Sequence, residues 1–160
     1  MNSAWVEFYR GVEPDSEGRY IGEILAWDDD RLEDVHDYIQ WLFPLPEPSM
    51  FNPDAPLLTR ADIAAARGDQ TVQANLRAAY ARMRRFYGLT PETAARPKAW
   101  VCAADHNHLR LTRILKSLNL LGLREEARSL YDAISACDGG IPARTRLFWR
   151  EAVNTGSGTS

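Results

Sequence analysis

The chain has 160 residues, 45% of them hydrophobic and 26% charged, with a formal net charge of −3. That length fits one domain able to bury about 70% of its unfolded surface, so no disulfide or metal is needed to hold a core. A pI near 5.6 argues against a dedicated DNA-binding protein. No stretch approaches the ~20 apolar residues of a membrane span, and Met1-Asn2-Ser3-Ala4-Trp5 lacks the basic and apolar regions of a secretory signal. The expected location is the cytoplasm, or the nucleus or nuclear envelope in a eukaryote.

Charge is unevenly spread. Residues 1–54 carry 13 acidic and 3 basic side chains, and residues 55–160 carry 9 and 16. Such polarity steers partners of opposite sign, or brings the two halves face to face. Cys102 and Cys137 stand in neither C-x-x-C nor zinc-ligand spacing and read as reduced thiols near a core.

In chain order, 5–9 and 20–27 read as short helices. Asp28-Asp29-Asp30 precedes Leu32, Val35, Ile39, Leu42 and Phe43, whose spacing predicts one helix that Pro44 ends, with Asp30 as N-cap and Glu33 three residues on. Four prolines make 44–53 an extended surface segment. Thr59 caps a helix ending at Gly68. Asp69 opens another through Val72, Leu76, Ala79, Tyr80, Met83, Phe86 and Tyr87, closed by Gly88. Thr90-Pro91 starts a short turn. Asp105-His106-Asn107 opens the most regular helix, with Leu111, Ile114, Leu115, Leu118 and Leu121, ending at Gly122; His106 and Asn107 are its expected caps. A further helix runs from Leu123 to Gly139-Gly140, and a last one starts at Pro142. No alternating strand pattern occurs. The expected architecture is all-α, a single irregular helical bundle of about six to eight helices over 1–153, with 154–160 as a flexible tail.

No phosphate loop, nucleophile elbow, dinucleotide fingerprint or HExxH is present, so the sequence reads as a non-enzyme with no metal and no cofactor. His106 and His108, two apart, do not share a helix face and make a poor metal pair. His36 reads as a histidine hydrogen-bonded in or beside the core. Arg82, Arg84 and Arg85 cluster on one helix. Arg110, Arg113 and Lys116 step by three along another. The wet face of any soluble helix carries such residues; they also suit phosphate or another anion.

Two runs carry a family resemblance. Leu32-Glu33-Asp34-Val35-His36-Asp37-Tyr38-Ile39-Gln40-Trp41-Leu42-Phe43-Pro44 resembles the signature of the opioid growth factor receptor conserved domain, which joins LE-x-x-H to YIQWLFP. Phe86-Tyr87-Gly88, and His106-Asn107-His108-Leu109-Arg110-Leu111-Thr112-Arg113-Ile114-Leu115-Lys116-Ser117-Leu118 followed by Leu121-Gly122-Leu123, are similar to later motifs of that family, with His108 where an asparagine is expected. The resemblance covers roughly residues 5–135. It implies a receptor-type binding domain rather than an enzyme. Animal members are described as receptors for the peptide met-enkephalin, associated with the nuclear envelope, and they extend well past this domain.

The resulting expectation is a peptide or protein partner held by His36, Tyr38, Gln40, Trp41, His106, Asn107, Arg110 and Arg113, whose aromatic area and polar tips suit an amphipathic ligand. Against it stands the reading that YIQWLFP is core and that Arg110 or Arg113 pairs with Glu33, Asp34 or Asp37. The alternative function is anion or nucleic-acid binding through a basic face of Arg82, Arg84, Arg85 and Lys116 with Arg110 and Arg113.

Overall fold

The computed structural model describes residues 2–50 and 52–154. Among them the chain forms nine α-helices and no sheet: α1 (Ala4–Tyr9), α2 (Ile21–Leu25), α3 (Asp29–Asp34), α4 (Ile39–Leu42), α5 (Arg60–Gly68), α6 (Gln70–Phe86), α7 (Asn107–Leu120), α8 (Arg124–Ser135) and α9 (Ala143–Val153). The all-α expectation holds. The structure falls into two compact units, Met1–Arg82 and Met83–Ser160, the boundary lying within α6. Beyond Asn154 the expected tail lies outside the described residues.

The first unit is built from short helices. An isolated helix under about 12 residues is marginal in water, so these depend on what they pack against. α1 is capped by the Ser3 hydroxyl and packs on α5, which a reciprocal Thr59–Asp62 capping box starts. The predicted single helix over 30–43 is in fact two. Val35 leaves α3 in an extended conformation (φ −90°, ψ 131°) and α4 begins at Ile39. The break is held from both sides. The Tyr38 hydroxyl donates to the Leu32 carbonyl at 2.7 Å, and Arg19 holds Asp37 at 2.9 Å. This split raises the helix number above the six to eight expected. The N-cap also moves: Asp28, not Asp30, accepts from the Arg31 amide at 2.9 Å.

The proline-rich segment lies between α4 and α5. Its base is closed by a parallel bridge, Leu45 with Leu57, and by a hydrogen bond from the Leu58 amide to the Leu45 carbonyl at 3.0 Å. Leu45 and Leu58 are buried, whereas Met50 is 92% exposed.

In the second unit α7, α8 and α9 pack on one another in all three pairs. α7 buries Leu111, Ile114, Leu115 and Leu118, α8 buries Ala127, Leu130 and Ile134, and α9 buries Trp149, Ala152 and Val153. Gly122 joins α7 to α8 with φ +95°, a left-handed turn that favours glycine. His106 stands at the N-cap of α7 as expected, but its side chain makes no cap hydrogen bond. The side-chain bond to this end comes from Asp105, whose carboxylate accepts from the Asn107 amide (2.8 Å) and whose carbonyl accepts from the His108 amide (3.0 Å).

Candidate functional site

The YIQWLFP run belongs to the core of the first unit. Tyr38, Gln40 and Trp41 are all buried. The Tyr38 ring meets Trp27 edge-on with centroids 5.5 Å apart, and Trp41 meets Phe8 the same way at 5.1 Å. The Trp41 carbonyl accepts from the Trp5 indole at 2.9 Å, and the Leu42 carbonyl accepts from the Tyr9 hydroxyl at 2.7 Å. Trp41 Nε1 is buried without a hydrogen-bond partner. Gln40 is within reach of Asn52, whose Nδ2 lies 3.4 Å from Oε1. His36, in the break between α3 and α4, is exposed.

Around this run sits a charged frame. Asp15, its side chain fully buried, accepts from the backbone amides of Glu17 and Arg19 and from Arg19 Nε at 2.8 Å. Arg19 Nη2 also lies 2.8 Å from Asp15 Oδ2, an ion pair whose angle is too poor for a hydrogen bond. Burial pulls the Arg19 pKa down, but hydrogen bonds and charge from Asp15 and Asp37 outweigh it and leave the guanidinium above its ordinary value. Asp37, offered by the sequence as a partner for Arg110 or Arg113, thus pairs with Arg19. Trp27 lies under two guanidiniums, Arg31 at 4.4 Å and Arg19 at 5.4 Å from the ring centroid. Arg82 is buried. Its Nη2 donates to the Trp27 carbonyl and to Asp29, each at 2.8 Å, while Nε and Nη1 have no partner. Arg82 therefore lies inside the first unit, away from the wet face assigned to it.

The second signature forms a separate network at the N-terminal end of α7. The Tyr87 hydroxyl donates to buried Asn107 at 3.1 Å, and the Trp100 indole donates to the Tyr87 carbonyl at 3.1 Å. His108 Nε2 lies 2.7 Å from the Trp100 carbonyl, which can only accept, so Nε2 carries the proton. The Trp149 indole donates to the His108 carbonyl at 3.1 Å. His108 and Trp100 both meet the Trp149 ring edge-on, at 5.8 and 6.3 Å. Arg110 is buried, Arg113 and Lys116 are half-buried, and His106 is exposed, 3.8 Å from Asp105. Arg84 donates to Ser129 and to the Leu89 carbonyl, and Arg85 is exposed.

Sequence reasoning missed Arg19, Trp100, His108 and Trp149 as organising residues. A paired Asp-x-x-x-Arg at 15–19 and tryptophans in segments without clear helical period were the available signals. Chemically, these groups mostly bind backbone carbonyls, so they fix conformation. Among the described residues no group of three His, Cys, Asp or Glu side chains is placed to hold a metal ion. Among the same residues no helix is long and apolar enough to cross a membrane.

The opioid growth factor receptor conserved region matches residues 2–134, which contain the first network and all of the second except Trp149. The chain belongs to this family. It is 42% identical over 120 residues to the opioid growth factor receptor of Homo sapiens, covering 66% of this chain and 18% of that protein. It is 43% identical over 122 residues to the receptor of Mus musculus, covering 66% and 19%. It is 37% identical over 131 residues to the opioid growth factor receptor-like protein 1 of Mus musculus, covering 73% and 28%. The chain thus spans 18% to 28% of the length of these relatives. No solved structure matches it.

Proposed function

We propose that this chain is a non-catalytic binding domain for a peptide or protein ligand, of the kind implied by relatives that carry the name opioid growth factor receptor. The supporting observation is family membership over residues 2–134, a stretch whose polar groups brace the fold rather than converge on a reaction centre. Buried Tyr38, Gln40, Trp41, Asn107 and Arg110 then act as supports. Contact with ligand falls to one stripe of α7 in the second unit. His106, Leu109, Arg113 and Lys116 recur along α7 at spacings of three and four, and Leu109 is 59% exposed. A leucine among cationic groups suits an amphipathic peptide with a free carboxylate. The same reading puts the protein in the cytoplasm or nucleus.

The test is thermal stability with met-enkephalin. A ligand that binds only the folded state adds about 2.7 kcal/mol at a hundredfold excess over its Kd. A shift abolished by Leu109→Asp supports the reading; no shift up to millimolar peptide overturns the enkephalin assignment.

A second reading, anion or nucleic-acid binding, is favoured by the charge of residues 83–160, which hold 12 basic and 7 acidic side chains. It predicts binding that weakens steeply with salt. Arg84 and buried Arg110 are poorly placed for it, which leaves Arg85, Arg113 and Lys116.

A further inference from the structure

Asp138-Gly139 is the single point in the sequence where an aspartate or asparagine precedes a glycine. It lies in the linker between α8 and α9, outside any helix, and both residues are exposed. Among the described residues, nothing hydrogen-bonds the Asp138 carboxylate or the Gly139 amide. The two groups are therefore free to meet. An aspartate side chain is short enough to reach the amide that follows it, and a glycine amide has no Cβ beside it to hinder approach.

Packing requires that this residue be glycine. Gly139 has φ +149°, and a Cβ built on it would stand 2.7 Å from Cγ1 of Val101 and 3.2 Å from the Val101 carbonyl oxygen. A larger residue would have to displace that backbone. The contact lies on one side of the linker. Gly140, at φ +90°, would have nothing within 4 Å of its Cβ.

Asp15-Ser16 is the internal contrast. A small residue follows this aspartate too, but its side chain is fully buried. Its carboxylate accepts from the amides of Glu17 and Arg19, both at 2.9 Å, and from Arg19 Nε at 2.8 Å. That carboxyl group is held where the Ser16 amide cannot use it.

We infer that Asp138 is a site of spontaneous isoaspartate formation. The Gly139 amide nitrogen attacks the carboxyl carbon of the Asp138 side chain. An N–C bond forms, the amide gives up its proton and the carboxyl gives up its hydroxyl. One water leaves, and a five-membered succinimide closes. Water then adds back. Opening at the side-chain carbonyl restores aspartate. Opening at the main-chain carbonyl routes the backbone through the side chain and frees the former main-chain carboxyl. The mass is unchanged, water is the one co-reactant, and the linker between α8 and α9 becomes one methylene longer. The new carboxylate is a substrate of the isoaspartyl methyltransferase class, which transfers a methyl group to it from S-adenosylmethionine.

The experiment ages the full chain at neutral pH and body temperature. Isoaspartate is read by enzymatic methylation with labelled S-adenosylmethionine and located by peptide mapping. It is expected at position 138 at least tenfold above position 15. Its rate is expected within tenfold of that in a synthetic peptide spanning residues 134–142, which has no fold to restrain it. Asp138→Glu is expected to abolish the label there, because the larger ring closes far more slowly. Asp138→Asn is expected to raise it at least tenfold, through the same succinimide with loss of ammonia in place of water. A rate in the folded chain more than tenfold below that of the peptide overturns the proposal, and shows that the Val101 contact holds the linker out of ring-closing geometry. Label spread evenly over the aspartates, label persisting in Asp138→Glu, or no acceleration in Asp138→Asn overturns it as well.

Discussion

The two units solve the same problem differently. In the first, α1 to α5 are four to nine residues long, too short to hold themselves. The last carbonyls of each helix lack intrahelical partners, and side chains from elsewhere in the unit take them up. Asn75 donates to Tyr9 at the end of α1, Tyr38 to Leu32 in α3, Trp5 and Tyr9 to Trp41 and Leu42 in α4, and Gln73 to Ala66 in α5. In the second unit α7 to α9 are 11 to 14 residues long and meet face to face through aliphatic stripes. Many of its polar ties gather at the N-terminal end of α7, and Asn119 and Arg146 add ties at the two ends of α9. Short helices are thus fastened by their ends and longer ones by their faces.

The contrast can be broken by mutation. Leu118 is fully buried in α7, and Leu118→Ala should cost about 3 kcal/mol in urea unfolding, the usual toll for a core leucine. Arg19→Ala should cost about as much in the first unit, because it strands the buried Asp15 carboxylate. If it costs under 1 kcal/mol, the charged frame is ornamental and the first unit is held by its apolar core after all. Tyr9→Phe and Tyr38→Phe should each cost about 1–2 kcal/mol, since each removes a buried hydrogen bond from a hydroxyl to a helix-end carbonyl.

Tyr9 sharpens the point through pH. Burial pushes its pKa well above the ordinary tyrosine value of 10.0. A folded-state pKa raised in this way means the folded chain holds the phenolic proton longer than the unfolded chain does. The stability it contributes is intact below pH 10 and is lost as pH rises further. The urea midpoint should fall between pH 10 and 11, and Tyr9→Phe should flatten that fall; an unchanged slope would show that another group sets the alkaline limb. The smallest effect belongs to Arg128 and Asp132, four apart on α8 at 4.0 Å and both well exposed. Asp132→Asn should shift stability by less than about 0.5 kcal/mol.

Helix type was legible where period and punctuation agreed. Thr59 to Gly68, Asp69 to Gly88 and Pro142 onward start and stop close to where their cap residues say, because capping is local chemistry. The break at Val35 was not legible, since Leu32, Val35, Ile39 and Leu42 keep helical spacing across it. What breaks the helix is distant: Arg19 holding Asp37, and a tyrosine hydroxyl that prefers a helix-end carbonyl to water. YIQWLFP was legible as a family mark and as candidate core, but not in its polar ties, because the backbone groups that serve Tyr38 and its neighbours are invisible to pattern reading. Arg82 and Arg110 misled for the same reason, their charge suggesting a surface that burial contradicts.

The bridge between Leu45 and Leu57 has a practical use. It pinches the neck of the proline-rich loop, bringing its two ends together, while Asn52 adds weaker ties to Gln40 and the Asp37 carbonyl. The entropic cost of closing such a loop grows only with the logarithm of its length. A foreign sequence grafted beside Met50, such as a protease site, an epitope or a fluorophore tag, would extend the loop without pulling on α4 or α5, which makes this the natural handle by which to label the protein.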